Sequence, residues 1–131
     1  MDASQLRQRL RATGWQIARQ IAVLMAHAPL VRGGVYRLRR KCGKAGCRCA
    51  RGELHASWVW LAREQGVQRM RAVPKGEALR WRERAQQYRR YRLARRELWR
   101  QCREALRLAR LLEAARAVAP PGTGGARGRD A

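Results

Sequence analysis

Cys42-Gly-Lys-Ala-Gly-Cys47-Arg-Cys49-Ala-Arg-Gly-Glu-Leu-His55 carries three of the four cysteines and one of the two histidines of the chain. The spacing is Cys-x4-Cys-x-Cys-x5-His. Structural zinc takes four nitrogen or sulfur ligands at tetrahedral corners, about 2.0–2.3 Å away. Cys42, Cys47, Cys49 and His55 supply that set. Gly43 and Gly46 allow tight turns between the first two ligands, and Gly52 allows one before the histidine. Lys41, Lys44, Arg48 and Arg51 favour thiolate over thiol and offset the negative charge of a Cys3His site. The pattern leaves no open ligand position and no neighbouring general base, so the expected metal is structural. The competing readings are free thiols, a redox pair and an iron–sulfur cluster. A redox pair usually needs Cys-x-x-Cys opening a helix. A cluster usually needs four thiolates, and Cys102 is far off in sequence.

On either side of this knuckle the chain alternates as strands do. Residues 35–41 begin with β-formers; Tyr36 and Leu38 fall on one face, Arg37 and Arg39 on the other. Residues 56–63 put Trp58 and Trp60 on one face, Val59 and Leu61 on the other. Glu64-Gln65-Gly66 makes a turn, and residues 67–73 return with Val67, Arg69, Arg71 and Val73 on one side. Pro74 closes the run. The expectation is a small three-stranded antiparallel sheet that needs helices on one face to be stable.

Two helices frame it. Residues 4–28 carry Leu6, Leu10, Ile17, Ile21, Leu24 and Met25 at helical spacing. Asp2 or Ser4 can cap the start. Gly14 weakens the middle by about 1 kcal/mol relative to Ala. Pro29 ends the helix, with His27 in its last turn as a cation near the helix C-terminus. Residues 75–118 contain no helix breaker after Gly76. Their stripe runs through Leu79, Trp81, Ala85, Tyr88, Tyr91, Leu98, Trp99, Cys102, Ala105, Leu106, Ala109 and Leu112, broken near its middle by Arg92 and Arg95. The half from Trp81 to Tyr91 is expected on the sheet. The half from Leu98 to Leu112 is expected on the N-terminal helix or on a second copy. Glu83 is placed to pair with Arg80 or Gln87. Residues 119–131 read as a low-complexity, disordered tail.

The chain has 131 residues and a net charge of +22, with 31 basic residues, only three of them lysine, against nine acidic ones. Self-repulsion on that scale calls for a polyanion, and nucleic acid is the expected partner. Arg37, Arg39, Lys44, Arg48, Arg69, Arg71, Arg89 and Arg96 are the candidate phosphate contacts. Trp58 and Trp60 are candidate stacking residues, or else pack beneath the long helix. No apolar run is long enough to span a membrane, and the N-terminus lacks an apolar signal core. A cytoplasmic location follows as the expectation, and with it reduced thiols. No carboxylate pair, Ser-His-Asp set or full phosphate-loop pattern argues for an enzyme.

The run from Arg40 through the knuckle to His55, then Trp58 to Leu61 and Val73-Pro74-Lys75, resembles a family of short basic bacterial proteins of unknown function. In that family a Cys-Gly-Lys-x-x-Cys-x-Cys knuckle precedes an aromatic strand, a hairpin and a long helix. The resemblance covers residues 30–110. Family members carry Gly-Pro and tyrosines after the histidine, where this chain has Ala56-Ser57 and tryptophans. The resemblance implies the order of elements and no activity.

The fold class expected is therefore α+β: an N-terminal helix, a three-stranded antiparallel sheet with a Cys3His knuckle, and a long C-terminal helix. Residues 1–118 are expected to form one domain, with 1–29, 35–74 and 75–118 as its parts. The function expected is zinc-stabilised nucleic-acid binding through arginine–phosphate contacts. The other reading is a protein–protein adaptor whose long helix self-associates as a homodimer or binds an acidic partner.

Overall fold

The structure is a computed structural model that describes residues 1–122. The larger part of the expected tail, residues 123–131, lies outside the described residues. The elements run α1 (Ala3–Leu24), β1 (Gly34–Arg40), a 3-10 helix (Arg48–Arg51), β2 (His55–Glu64), β3 (Val67–Ala72) and α2 (Ala78–Arg116). Helix, antiparallel sheet and long helix follow in the order that the sequence implies. Among the described residues two compact units result, residues 20–97 and residues 1–19 with 98–122.

Within the larger unit, β2 is the central strand of a β1-β2-β3 antiparallel sheet. Register pairs Arg37 with Trp58, Tyr36 with Val59 and Trp60 with Arg71. Directly paired residues share a face. One face therefore collects Arg37, Arg39, Trp58, Trp60, Arg69 and Arg71. The other collects Tyr36, Leu38, Val59, Leu61 and Met70, with Val59 buried. The β2–β3 turn has positive φ at both Gln65 (51°) and Gly66 (78°), the pattern of a type I′ hairpin, whose twist matches that of the strands.

The arginine-bearing face is partly covered from two directions. The Arg82 guanidinium of α2 lies 4.7 Å from the Trp58 ring centre. The Trp60 indole N–H donates to the Arg32 carbonyl at 2.7 Å. Gly33, at φ 106°, is pressed so close that a Cβ there would strike the Leu61 carbonyl oxygen. Val31 N–H donates to the Arg84 carbonyl at 3.0 Å, which ties the 30–33 loop to α2. The start of α2 thus touches the sheet through Arg82 over Trp58 and holds the 30–33 loop through Arg84, and Trp58 and Trp60 are both half-buried.

The smaller unit is held by a helical seam. Asp2 and Gln5 form a reciprocal capping box: Gln5 N–H donates to Asp2 Oδ1 at 2.8 Å and Asp2 N–H to Gln5 Oε1 at 2.9 Å. Leu6, Leu10, Thr13 and Ile17 alternate three and four apart, and all are buried or half-buried. Leu98, Gln101, Ala105, Leu108 and Leu112 do the same on α2. That spacing suits helix-on-helix packing, and an Arg9–Glu104 ion pair at 3.8 Å joins the two segments. Leu108, fully buried, and Thr13, whose hydroxyl donates to the Arg9 carbonyl at 2.9 Å, are seam positions that the expected stripes omit. Trp99 and Leu106, counted in the stripe, are 66% and 63% exposed.

Four local expectations need correction. Helix α1 ends at Leu24, because the chain tightens through an Ala26 N–H to Val23 carbonyl bond before Pro29 forbids helix at residue 28. His27 therefore lies outside the helix, exposed, and not in its last turn. Helix α2 starts at Ala78, after a turn in which Glu77 N–H donates to the Pro74 carbonyl at 3.0 Å and Gly76 takes φ 88°. Arg80 pairs with Glu77, not Glu83.

Candidate metal centre

Strand β1 ends at Arg40 and β2 begins at His55, its register partner. The chain must therefore leave the sheet and return to the same point. Glycines with positive φ, Gly43 (85°) and Gly52 (105°), make this possible without strain. Between them Arg48–Arg51 winds one 3-10 turn, with Gly52 in the left-handed conformation at its end. The Cys47 carbonyl accepts from Ala50 N–H at 3.1 Å, and the Cys49 carbonyl from Gly52 N–H at 3.3 Å. This turn places Cys47 just before the helix and Cys49 inside it. The sequence gives no local signal for it, since Arg-Cys-Ala-Arg has no helical period of its own.

The loop brings Cys42, Cys47, Cys49 and His55 together, with their four donor atoms within 4.8 Å of one another. Cys42 Sγ lies 3.4 Å from Cys49 Sγ, and Cys47 Sγ lies 3.0 Å from His55 Nε2. Ligands at tetrahedral corners of a zinc-sized ion would stand roughly 3.5–3.8 Å apart, given metal–ligand lengths of about 2.0–2.3 Å. The observed separations bracket that range, so the cluster fits one metal ion. The Cys42 N–H donates to Cys49 Sγ at 3.3 Å, an outer contact that orients the ligand. Cys49 is 1% exposed, while Cys42 and His55 lie at the surface.

Local hydrogen bonds favour ionisation at two of the three sulfurs. The Lys44 backbone N–H, followed by the Cys49 thiol, holds Cys42 below the usual cysteine value. The Cys49 backbone N–H, then the Cys49 thiol and His55, hold Cys47 below it as well. Cys49 moves the other way. The Cys42 N–H pulls it down, but burial and the neighbouring sulfurs of Cys42 and Cys47 outweigh that pull and raise it. Three sulfurs crowded this closely cannot all ionise cheaply alone; a bound cation would remove the penalty.

The candidate nucleic-acid residues fall in three places. Arg37, Arg39, Arg69 and Arg71 share the sheet face with Trp58 and Trp60, as the register dictates. Lys44 and Arg48 sit on the knuckle, and Arg89 and Arg96 on α2; all eight basic side chains are exposed. Two are engaged within the chain: Arg69 pairs with Glu64 at 3.2 Å, and the Arg71 guanidinium lies 5.7 Å from the Trp60 ring centre. Arg82 over Trp58 and Arg84 over Trp81 were not foreseen. Cys102 is half-buried on α2 and is not part of the cysteine cluster. No helix among the described residues is long and apolar enough to cross a membrane.

No curated protein matches the chain, and no solved structure matches it. A family does match, over residues 3–84, so it takes in α1, the sheet, the knuckle and only the first turns of α2. The match overlaps the expected range of 30–110, beginning earlier and ending earlier along the chain. By this match the chain belongs to a family described as a domain of unknown function, DUF6788.

Proposed function

We propose that this is a small zinc-stapled protein, not an enzyme, that binds nucleic acid through arginine–phosphate contacts with little sequence specificity. The observation that carries the reading is the sheet register. It turns Arg37, Arg39, Arg69 and Arg71 to one face of a chain whose net charge is +22. Guanidiniums match phosphate oxygens with fixed, forked donors. Zinc is the ion that best suits three thiolates and one imidazole in a closed set. In this role it joins β1 to β2 and does no chemistry.

Purification with and without nuclease, followed by binding to short oligonucleotides at several salt concentrations, tests the reading. Phosphate contact requires that log K fall linearly with log salt, by about 0.9 per phosphate on duplex DNA. Affinity that ignored salt, or no binding at all, would count against it.

A second reading has its own support. Trp15, Trp99 and Leu106 are well exposed in the helical unit, and large exposed aromatics are enriched at protein interfaces. An adaptor that paired with itself or with an acidic protein through these residues would retain that partner after nuclease treatment. It would lose the partner on substitution of Trp99 by Ala.

A further inference from the structure

We infer that the nucleic acid is duplex DNA, gripped by an arginine row that starts on the sheet and continues along α2. This rests on the nucleic-acid reading above and names its ligand. Arg82, Arg89 and Arg96 recur every seven residues on α2, and Arg92 falls on the same side between the last two. All four are exposed. At 1.5 Å per residue the seven-residue step is about 10.5 Å. The row begins at the sheet, because the Arg82 guanidinium is seated on Trp58, whose register partner is Arg37.

Two features select a duplex over a single strand. Single-strand binders stack bases on free aromatic faces. On the arginine-bearing face of the sheet, Arg82 lies over Trp58 and Arg71 over Trp60, whose N–H is held by the Arg32 carbonyl. The rings serve to hold guanidiniums, whose N–H edges remain for phosphate. A row of charges on a stiff helix also suits a stiff lattice of phosphates. Duplex DNA, with a persistence length of about 50 nm, already is one, whereas a flexible strand would have to be ordered at an entropic cost. DNA is favoured over duplex RNA by groove size. The major groove of B-form DNA, about 12 Å wide, admits an α-helix of diameter roughly 10–12 Å, and the deep, narrow groove of A-form RNA does not.

The test uses the full chain and three probes of one sequence, roughly two helical turns long: a DNA duplex, its single strand, and the RNA duplex. Binding is read by fluorescence anisotropy across a salt series, for the parent and for an Arg89→Gln/Arg96→Gln variant whose fold is checked by circular dichroism. The DNA duplex is expected to bind about tenfold or more tighter than either other probe. The variant is expected to lower the salt slope on that duplex by about 1.8, the share of two phosphates. Equal or tighter binding of the single strand or of the RNA duplex would overturn the duplex-DNA assignment and leave the parent reading intact. An unchanged slope in the variant would overturn the helix row. No binding to any probe would remove the parent reading and this one with it.

Discussion

The two units solve the same problem by different means. In the helical unit, order comes from side chains that exclude water: Leu6, Thr13 and Leu108 are buried along a seam with three-and-four spacing. In the knuckle, a 14-residue excursion between β1 and β2 buries little except the Cys49 side chain. Apolar burial contributes roughly 25 cal/mol per Å², so such a loop has almost nothing from that source to offset its conformational entropy. Ligation can. The comparison teaches where a chain with so thin a core would need coordination: packing supports the helical unit, and the knuckle has four ligands placed to make up what packing does not supply.

The comparison fails if the knuckle does not need its ligands. A Cys49→Ser substitution, or chelation, should have the largest effect, because structural zinc in small domains is worth about 10 kcal/mol or more in peptide systems. Strand signals of β1 and β2 should be lost in NMR spectra while much of the helical circular dichroism remains. Next in size, Leu108→Ala should cost about 2–5 kcal/mol in denaturant unfolding without altering metal content, since the seam and the cluster lie in different units. A variant of either class that affected both readouts alike would dissolve the distinction.

Smaller effects sharpen the picture within each unit. Gly33→Ala should destabilise by roughly 1–3 kcal/mol, because the position needs a positive φ and a Cβ would meet Leu61 and Ala62. Its thermal melt measures this. Glu104 tests the seam electrostatically and should show the least. The Arg107 hydrogen bonds lower its carboxyl; burial raises it, and the charges of Arg107 and Arg9 add to the lowering. A folded value below the unfolded one gives stability that is present above the unfolded value and lost as pH falls through the folded one. Glu104→Gln should flatten that acid limb slightly, and salt should weaken the contribution in the parent.

The knuckle was the legible part of the sequence because ligand chemistry needs particular residue types, and few other patterns use them. The strands were legible because alternation survives even with arginine on one face. The seam was harder. Its positions include Thr13 and Gln101, which carry no strong apolar signal, while Trp15, Trp99 and Leu106 do and lie outside it. Helical period alone does not tell which of two neighbouring rows faces the partner. The fate of Trp58 and Trp60 was also open, since a half-buried tryptophan under a guanidinium satisfies both a core and a surface reading. The 3-10 turn follows from closing the four ligands together and has no local code.

The central claim is that Cys42, Cys47, Cys49 and His55 hold one metal ion that staples the sheet. Native mass spectrometry of the full chain, purified without added chelator, tests this most directly. The account predicts one zinc per chain in the parent and none in Cys49→Ser. A parent chain that is fully folded and carries no metal would contradict it.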